Sequence, residues 1–241
     1  MLVYGNHYPT TAFRNAEKGL IFLKHLRGLK VTKSRNNLPQ KEPTLSIRGV
    51  NFWDSWLSKS RQFQILRDLR AIVAKAPLFK PVIPGGKKMS VRITSTGDLG
   101  WVADSSGYRY EPKHPDGINW PPIPQSVLEV WEILSGSRRK PDCCLLNFYQ
   151  AGARMSMHQD RDEANLTEPV ISISLGDDAL FRIGNPSKGG KTDSILLRSG
   201  DVIRLGEEAR LIYHGIDRIN SGSSTLLKNG GRINLTLRVV T

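Results

Sequence analysis

From Pro141 to the last residue the chain reads as a succession of short β-segments. They are "CCLLNFY" (143–149), "EPVISISLG" (168–176), "ALFRIG" (179–184), "SILLR" (194–198), "DVIRL" (201–205), "RLIYHGI" (210–216) and "RINLTLRVV" (232–240). Branched and aromatic residues dominate them, as a pleated, half-buried surface requires. Turn residues separate them, among them Gly176-Asp177, Ser199-Gly200-Asp201 and Asn229-Gly230-Gly231. Seven or eight such strands after a helical start predict a jelly roll, or a similar double sheet, with helices packed outside. The fold class is α+β and mainly β. No internal repeat is visible.

The upstream half supplies the helices. A strand is expected at Ser46–Val50. Asp54 or Ser55 is placed to cap a helix running to about Lys75, with Phe63, Leu66, Leu69 and Ile72 or Val73 on its apolar face and Pro77 ending it. Residues 80–124 are rich in Gly, Pro and aromatics and read as irregular. A second helix is expected from about Gln125, with Val127, Val130, Trp131 and Leu134 inward and Gly136 closing it. Residues 1–44 read as a basic extension. Leu20, Leu23 and Leu26 sit at helical spacing among lysines, and "KSRNNLPQKEP" reads as a linker. A disordered nucleic-acid-binding arm, an organelle-targeting peptide and a start placed too far upstream all fit this segment. The expected organisation is an extension over 1–44 and one domain over 45–241.

Charge narrows the partner. The 241 residues carry a formal +13. Such an excess favours a polyanion, because lysine and arginine displace the counterions condensed on nucleic acid. The extension holds eight basic side chains against Glu17 and Glu42; the rest of the surplus is spread over the main domain. No apolar run approaches the ~20 residues that cross a bilayer. Cys143 and Cys144 are neighbours whose side chains point oppositely on a strand, so a disulfide between them is not expected. A reducing, cytoplasmic location and a monomer are expected.

Two constellations carry chemistry. His158 and Asp160 are two apart, so both side chains face one way on an extended backbone. With His214 they make the two-histidine, one-carboxylate ligand set that leaves open positions on non-haem Fe(II). Taken alone, His-x-Asp is a weak signal, and Asp160 also suits a turn. The second constellation is the last strand. Arg232, Asn234, Thr236 and Arg238 share one face, and Ile233, Leu235 and Leu237 the other. An edge strand with one wet face is the ordinary reading of such alternation. Two arginines on one line also suit a bound dicarboxylate, which each grips through parallel hydrogen bonds. Asn147 and Tyr149 form a matching polar stripe.

Together these segments resemble the AlkB branch of the Fe(II)/2-oxoglutarate-dependent dioxygenases. "LLNFYQAGARMSMHQDRDE", "PVISISLG", "GDVIRLGEEARLIYHGI" and "RINLTLR" stand in the family's order, as do "MSVRITSTGDLGW" and "GYRYEP" upstream. The resemblance spans roughly residues 45–241. It implies a double-stranded β-helix core over 141–241, a nucleotide-recognition lid over 80–124, and oxidative removal of alkyl groups from nucleobases. In that reaction 2-oxoglutarate and O2 give succinate and CO2, and the hydroxylated methyl group leaves as formaldehyde. The resemblance assigns Fe(II) to His158, Asp160 and His214. It assigns 2-oxoglutarate to Asn147, Tyr149, Arg232, Asn234 and Arg238. For the substrate it implies Trp101 stacking on the base, Tyr108, Arg109 and Tyr110 in the contacting loop, and Met89 and Ser90 at the pocket floor. Asp162 would face the exocyclic nitrogen, a position suited to bases made cationic by methylation, of the 1-methyladenine and 3-methylcytosine type. Alkylated DNA, single- or double-stranded, is the implied partner, with RNA as a second candidate and no membrane. The loop "PSKGGKTD" departs from the family pattern, and Lys188 is its nearest match to a substrate-contacting arginine. Arg204 in "GDVIRLG" departs too.

Other readings remain open at this stage. A related dioxygenase acting on a protein or small molecule would not need Trp101 or Asp162. A zinc hydrolase would use the two histidines and Asp160 but not the paired arginines. A non-catalytic nucleic-acid-binding module would use charge alone.

Overall fold

The computed structural model describes residues 41–241. The leucine pattern and most of the linker read over 1–44 lie outside the described residues. The first strand reading is corrected: Leu45–Ile47 (β1) and Val50–Trp53 (β2) form a hairpin in place of one strand over 46–50. Arg48 and Gly49 turn it, at φ of 50° and 80°. Helix α1 (Lys59–Lys75) starts later than expected. Its cap is Ser58, whose hydroxyl accepts from the Arg61 amide at 3.3 Å, and not Asp54 or Ser55. Phe63 is 53% exposed and does not belong to the apolar stripe. That stripe is Ile65, Leu66, Leu69 and Ile72, and its N-terminal place is taken by Gln62. Gln62 is buried but satisfied, donating to the Leu57 carbonyl at 2.8 Å and accepting from Ser199 Oγ at 2.7 Å. Periodicity alone ranks a phenylalanine above a glutamine for burial; a partner distant in sequence reverses that here.

The stretch over 80–124 is not irregular throughout. It contains β3 (Arg92–Gly97), β4 (Gly100–Asp104) and β5 (Gly107–Glu111). Helix α2 (Gln125–Leu134) follows as expected, with Val127, Val130, Trp131 and Leu134 buried and Gly136 at φ 71° just past its end. The strands after it are β6 (Cys143–Tyr149), β7 (Met155–His158), β8 (Val170–Gly176), β9 (Asp178–Ile183), β10 (Asp193–Leu197), β11 (Val202–Leu205), β12 (His214–Asn220) and β13 (Arg232–Arg238). They make a seven-stranded antiparallel sheet in the order β1-β2-β11-β8-β13-β6-β3 and a four-stranded sheet in the order β10-β9-β12-β7. This is the expected double sheet.

The large sheet is buried on both faces. On one side Cys144, Leu146, Ile171, Ile173, Leu235 and Leu237 pack with the stripes of α1 and α2. On the other, Leu145, Tyr149, Ile203 and Leu205 pack with Phe181, Ile183 and Ile216 of the small sheet. Strand β13 lies between β8 and β6, so it is no edge strand. Its polar face is not wet. It points between the sheets, where Arg232 is 0% and Arg238 5% exposed. A buried cation costs several kcal/mol unless something compensates it, so this placement demands an explanation from function.

Candidate active site

The two histidines become neighbours through strand pairing. His214 at the start of β12 is the register partner of His158 at the end of β7, and their rings lie 4.6 Å apart. Gly215 makes this approach possible. A Cβ there would stand 2.6 Å from the Met155 carbonyl oxygen. Gly215→Ala is therefore expected to push β12 off β7 and cost about 1–3 kcal/mol by overpacking. Thermal unfolding of the metal-free protein would show it, and Fe(II) binding should weaken in parallel. An unchanged melting temperature would refute this account of the glycine.

Asp160 follows β7 in the loop. Its Oδ1 lies 3.6 Å from His158 Nε2 and its Oδ2 3.9 Å from His214 Nε2. The three side chains bring one ligand atom each within 4.8 Å of one another. The outer nitrogens are already committed: His158 Nδ1 lies 2.8 Å from the Ser156 carbonyl and His214 Nδ1 3.0 Å from that of Ile212. Donation there leaves both Nε2 lone pairs aimed inward, the tautomer a metal ligand needs. Burial pushes His214 down to about 4, which keeps its ring neutral at ordinary pH. Burial also opposes ionisation of Asp160, but the Arg238 guanidinium beside it outweighs burial and holds the carboxyl well below its usual range. The residues present fit a divalent ion.

A group of buried polar side chains adjoins this cluster. Arg232 Nη2 donates to Ser174 Oγ at 2.8 Å and its Nη1 to the Asp177 carbonyl at 3.4 Å. Both acceptors are neutral, and Nε has no partner. Burial lowers this guanidinium to about 10, so it stays charged at neutral pH. Beside it, the Oδ1 of buried Asn147 is unpartnered. Asn147 and Tyr149 face Asn234 and Arg232 across the β6–β13 ladder. Asn234 is held by Ser172 Oγ at 2.7 Å. At the strand's other end Arg238 donates to Asp160 Oδ2 at 2.7 Å and leaves Nε and Nη1 without a hydrogen-bond partner. Arg232, a buried cation with no carboxylate in hydrogen-bond contact, and the spare donors of both arginines are what a carboxylate ligand would complete.

Both sites open into one cavity of about 990 Å³. Hairpin β4–β5 forms part of its wall. Trp101 stacks on Tyr108, with centroids 5.5 Å apart and planes 17° from parallel. Trp101 Nε1 donates to Asp162 Oδ2 at 2.9 Å. Tyr110, Met89 and Ser90 also line the cavity. Two expected substrate residues do not. Arg109 alternates to the far side of the hairpin, where it pairs with Asp104 at 2.8 Å and Glu111 at 2.6 Å. Lys188 is exposed on the β9–β10 connection, outside the cavity lining. Arg204 is tied to Glu207 and the Ser135 carbonyl and is likewise no part of that lining.

Sequence reasoning missed Ser172, Ser174, Arg210 and Glu163. The serines were readable, since they alternate with Ile171, Ile173 and Leu175 on a strand whose other face is apolar. Arg210 and Glu163 carried no local signal; only the fold shows them pairing at 3.0 Å in the interior. Exposed Lys87, Lys88, Arg154 and Arg161 at the cavity were missed as well.

Residues 49–238 match the model of the 2OG-Fe(II) oxygenase superfamily. The alpha-ketoglutarate-dependent dioxygenase AlkB homolog of Caulobacter vibrioides is 47% identical over 82% of this chain and 90% of its own. The chain belongs to the AlkB family. The AlkB protein of Escherichia coli is 38% identical over 73% of this chain and 83% of its own. The solved structure of OsALKBH1 superimposes with a TM-score of 0.69 at 29% identity, over 80% of this chain and 99% of that one. This AlkB-family protein is thus an Fe(II)- and 2-oxoglutarate-dependent dioxygenase, with O2 as its second co-substrate. Among the described residues no helix is long and apolar enough to cross a membrane.

Proposed function

We propose that this dioxygenase removes N-alkyl groups from damaged nucleobases, of the 1-methyladenine and 3-methylcytosine type, in DNA and also in RNA. The observation that carries the reading is the wall of the cavity: an aromatic pair, Trp101 and Tyr108, with the Asp162 carboxylate hydrogen-bonded to its indole. Aromatic faces stack on any base, and a carboxylate beside them favours a base that methylation has made cationic. A base inside a duplex cannot reach such a cavity, so the substrate is a flipped or single-stranded nucleotide. The exposed cations at the cavity suit the phosphates on either side.

In this reading His158, Asp160 and His214 hold Fe(II), which, when bound, supplies the oxidation of the alkyl carbon. Arg232 takes one carboxylate of 2-oxoglutarate, and Arg238 the other. Asn147 and Tyr149 bond to its body, while Asn234 lines the same pocket. Tyr110, Met89 and Ser90 line the base pocket, and the chemistry leaves no role at the base for Arg109 or Lys188. Residues 45–241 act as the catalytic unit. The lid function falls on the loop before β3 and on hairpin β4–β5, since β3 itself belongs to the large sheet. Cys143 and Cys144 are buried free thiols, which supports a reducing compartment such as the cytoplasm. Among the described residues only Phe63, Tyr108 and Ile118 are large exposed apolar side chains, which supports a monomer.

The test uses oligonucleotides carrying 1-methyladenine, with Fe(II), ascorbate and 2-oxoglutarate. Loss of the methyl group with release of formaldehyde is expected. Turnover of 2-oxoglutarate with the base unchanged would overturn the substrate assignment. Asp162→Asn is expected to lower kcat/KM for cationic 1-methyladenine about tenfold, the scale of one charged contact. A neutral lesion such as 1-methylguanine should be affected less. Equal losses on both would remove the electrostatic role of Asp162.

A further inference from the structure

Glu163 stands three residues after the ligand candidate Asp160, and none of the roles above uses it. Its carboxylate is buried where three elements meet. From β5, the Tyr110 hydroxyl donates to Oε1 at 2.8 Å. From the segment before β12, Arg210 Nη2 donates to Oε2 at 3.0 Å. From β13, Arg238 Nε lies 3.0 Å from Oε1. Arg238 then reaches Asp160 Oδ2 through Nη2. One line of contacts therefore runs Tyr110–Glu163–Arg238–Asp160. It connects the hairpin that carries Trp101 to a carboxylate of the metal set.

The charges along this line are buried and balanced. Asp160 and Glu163 face Arg210 and Arg238, and all four are under 9% exposed. Neither guanidinium has water to turn to if a partner is lost, so each contact constrains the next. Geometry adds a second constraint. A guanidinium is planar and rigid. With the Glu163 carboxylate against the Nε edge as an ion pair and Asp160 accepting from Nη2, the direction of Nη1 is set. Nε meets Glu163 by charge alone, and Nη1 has neither a hydrogen bond nor an ion pair.

We propose that Glu163 is a positioning residue that couples the base-binding hairpin to the co-substrate pocket. With Tyr110 seated on it, it holds Arg238 so that Nη1 is presented to the 2-oxoglutarate carboxylate. This rests on the reading of Arg238 as a co-substrate contact. A purely structural Glu163 would govern stability alone. A coupling Glu163 makes 2-oxoglutarate affinity depend on Tyr110, a residue of another sheet.

The experiment measures 2-oxoglutarate binding to the full-length protein loaded with Mn(II), by calorimetry and without nucleic acid. Direct contact of Tyr110 with a base then plays no part. Wild type, Tyr110→Phe, Glu163→Gln and the double variant are compared, with melting temperatures in parallel. Glu163→Gln is expected to weaken binding about tenfold. Tyr110→Phe, which removes one hydroxyl and no charge, is expected to weaken it about threefold. The double variant should bind no more weakly than Glu163→Gln, because both act through one line. Tyr110→Phe is the safer folder, and unchanged affinity in it overturns the coupling by itself. Multiplicative losses in the double variant also overturn it, as does a lower melting temperature with unchanged affinity in Glu163→Gln. Wild-type protein that fails to bind 2-oxoglutarate would overturn the co-substrate assignments themselves. Normal binding by every variant would overturn this inference alone.

Discussion

Asp160→Ala protein is expected to bind Fe(II) too weakly to turn over 2-oxoglutarate, and to be less stable as well. Loss of an outer-shell partner alone typically costs about 10–100-fold in metal affinity. Loss of an inner ligand from a set of three should exceed that. Stability falls for a separate reason. Asp160 Oδ2 is the acceptor for Arg238 Nη2 at 2.7 Å in the interior. Removing one partner of a buried pair costs about 3–5 kcal/mol because the other charge stays behind. Metal binding by calorimetry and thermal unfolding of the metal-free protein read the two effects independently. Tight Fe(II) binding by the variant would remove Asp160 from the ligand set. An unchanged melting temperature would show that its pair with Arg238 contributes nothing to the fold.

The two arginines of β13 should differ in what their loss does to stability. Arg232→Leu is expected to weaken 2-oxoglutarate binding by about 10–150-fold, the range for a lost charged hydrogen-bonding partner. It should not lower the melting temperature of the ligand-free protein. Arg232 is fully buried, meets only neutral acceptors and has an unpartnered Nε, so a leucine removes a buried charge that no carboxylate touches. Arg238→Leu breaks contacts to Asp160 and Glu163 and should destabilise the fold as well as binding. Buried charge kept where it costs stability is the pattern expected of a ligand site. Co-substrate titrations and unfolding curves of the two variants decide the matter. Marked destabilisation by Arg232→Leu, with unchanged affinity, would make that arginine structural.

Much of the site was legible because strands expose their chemistry by alternation. Arg232, Asn234 and Arg238 share a face by period two, whatever surrounds them. So do Asn147 and Tyr149. The same rule was available for the hairpin and went unused. Tyr108 and Tyr110 lie on one side of β5 and Arg109 on the other, so the three do not all face one cavity. Strand β3 was missed because "RITSTG" carries threonine and serine where a buried strand ordinarily shows aliphatics. Thr94 and Thr96 satisfy their hydroxyls on the carbonyls of Ala76 and Pro121. Those partners lie outside any local window.

By itself the sequence determined the mostly β class, the second helix, the spacing of His158 and Asp160, and the split of β13 into a charged and an apolar face. These are properties of short windows, where backbone period and side-chain type suffice. Only the tertiary structure decided which face of β13 is buried, that His214 is the cross-strand partner of His158, and that Glu163 joins the hairpin to Arg238. Those facts depend on register and on charges brought together in a dry interior. There the cost of an unpaired ion, negligible in an exposed loop, becomes large enough to dictate the arrangement.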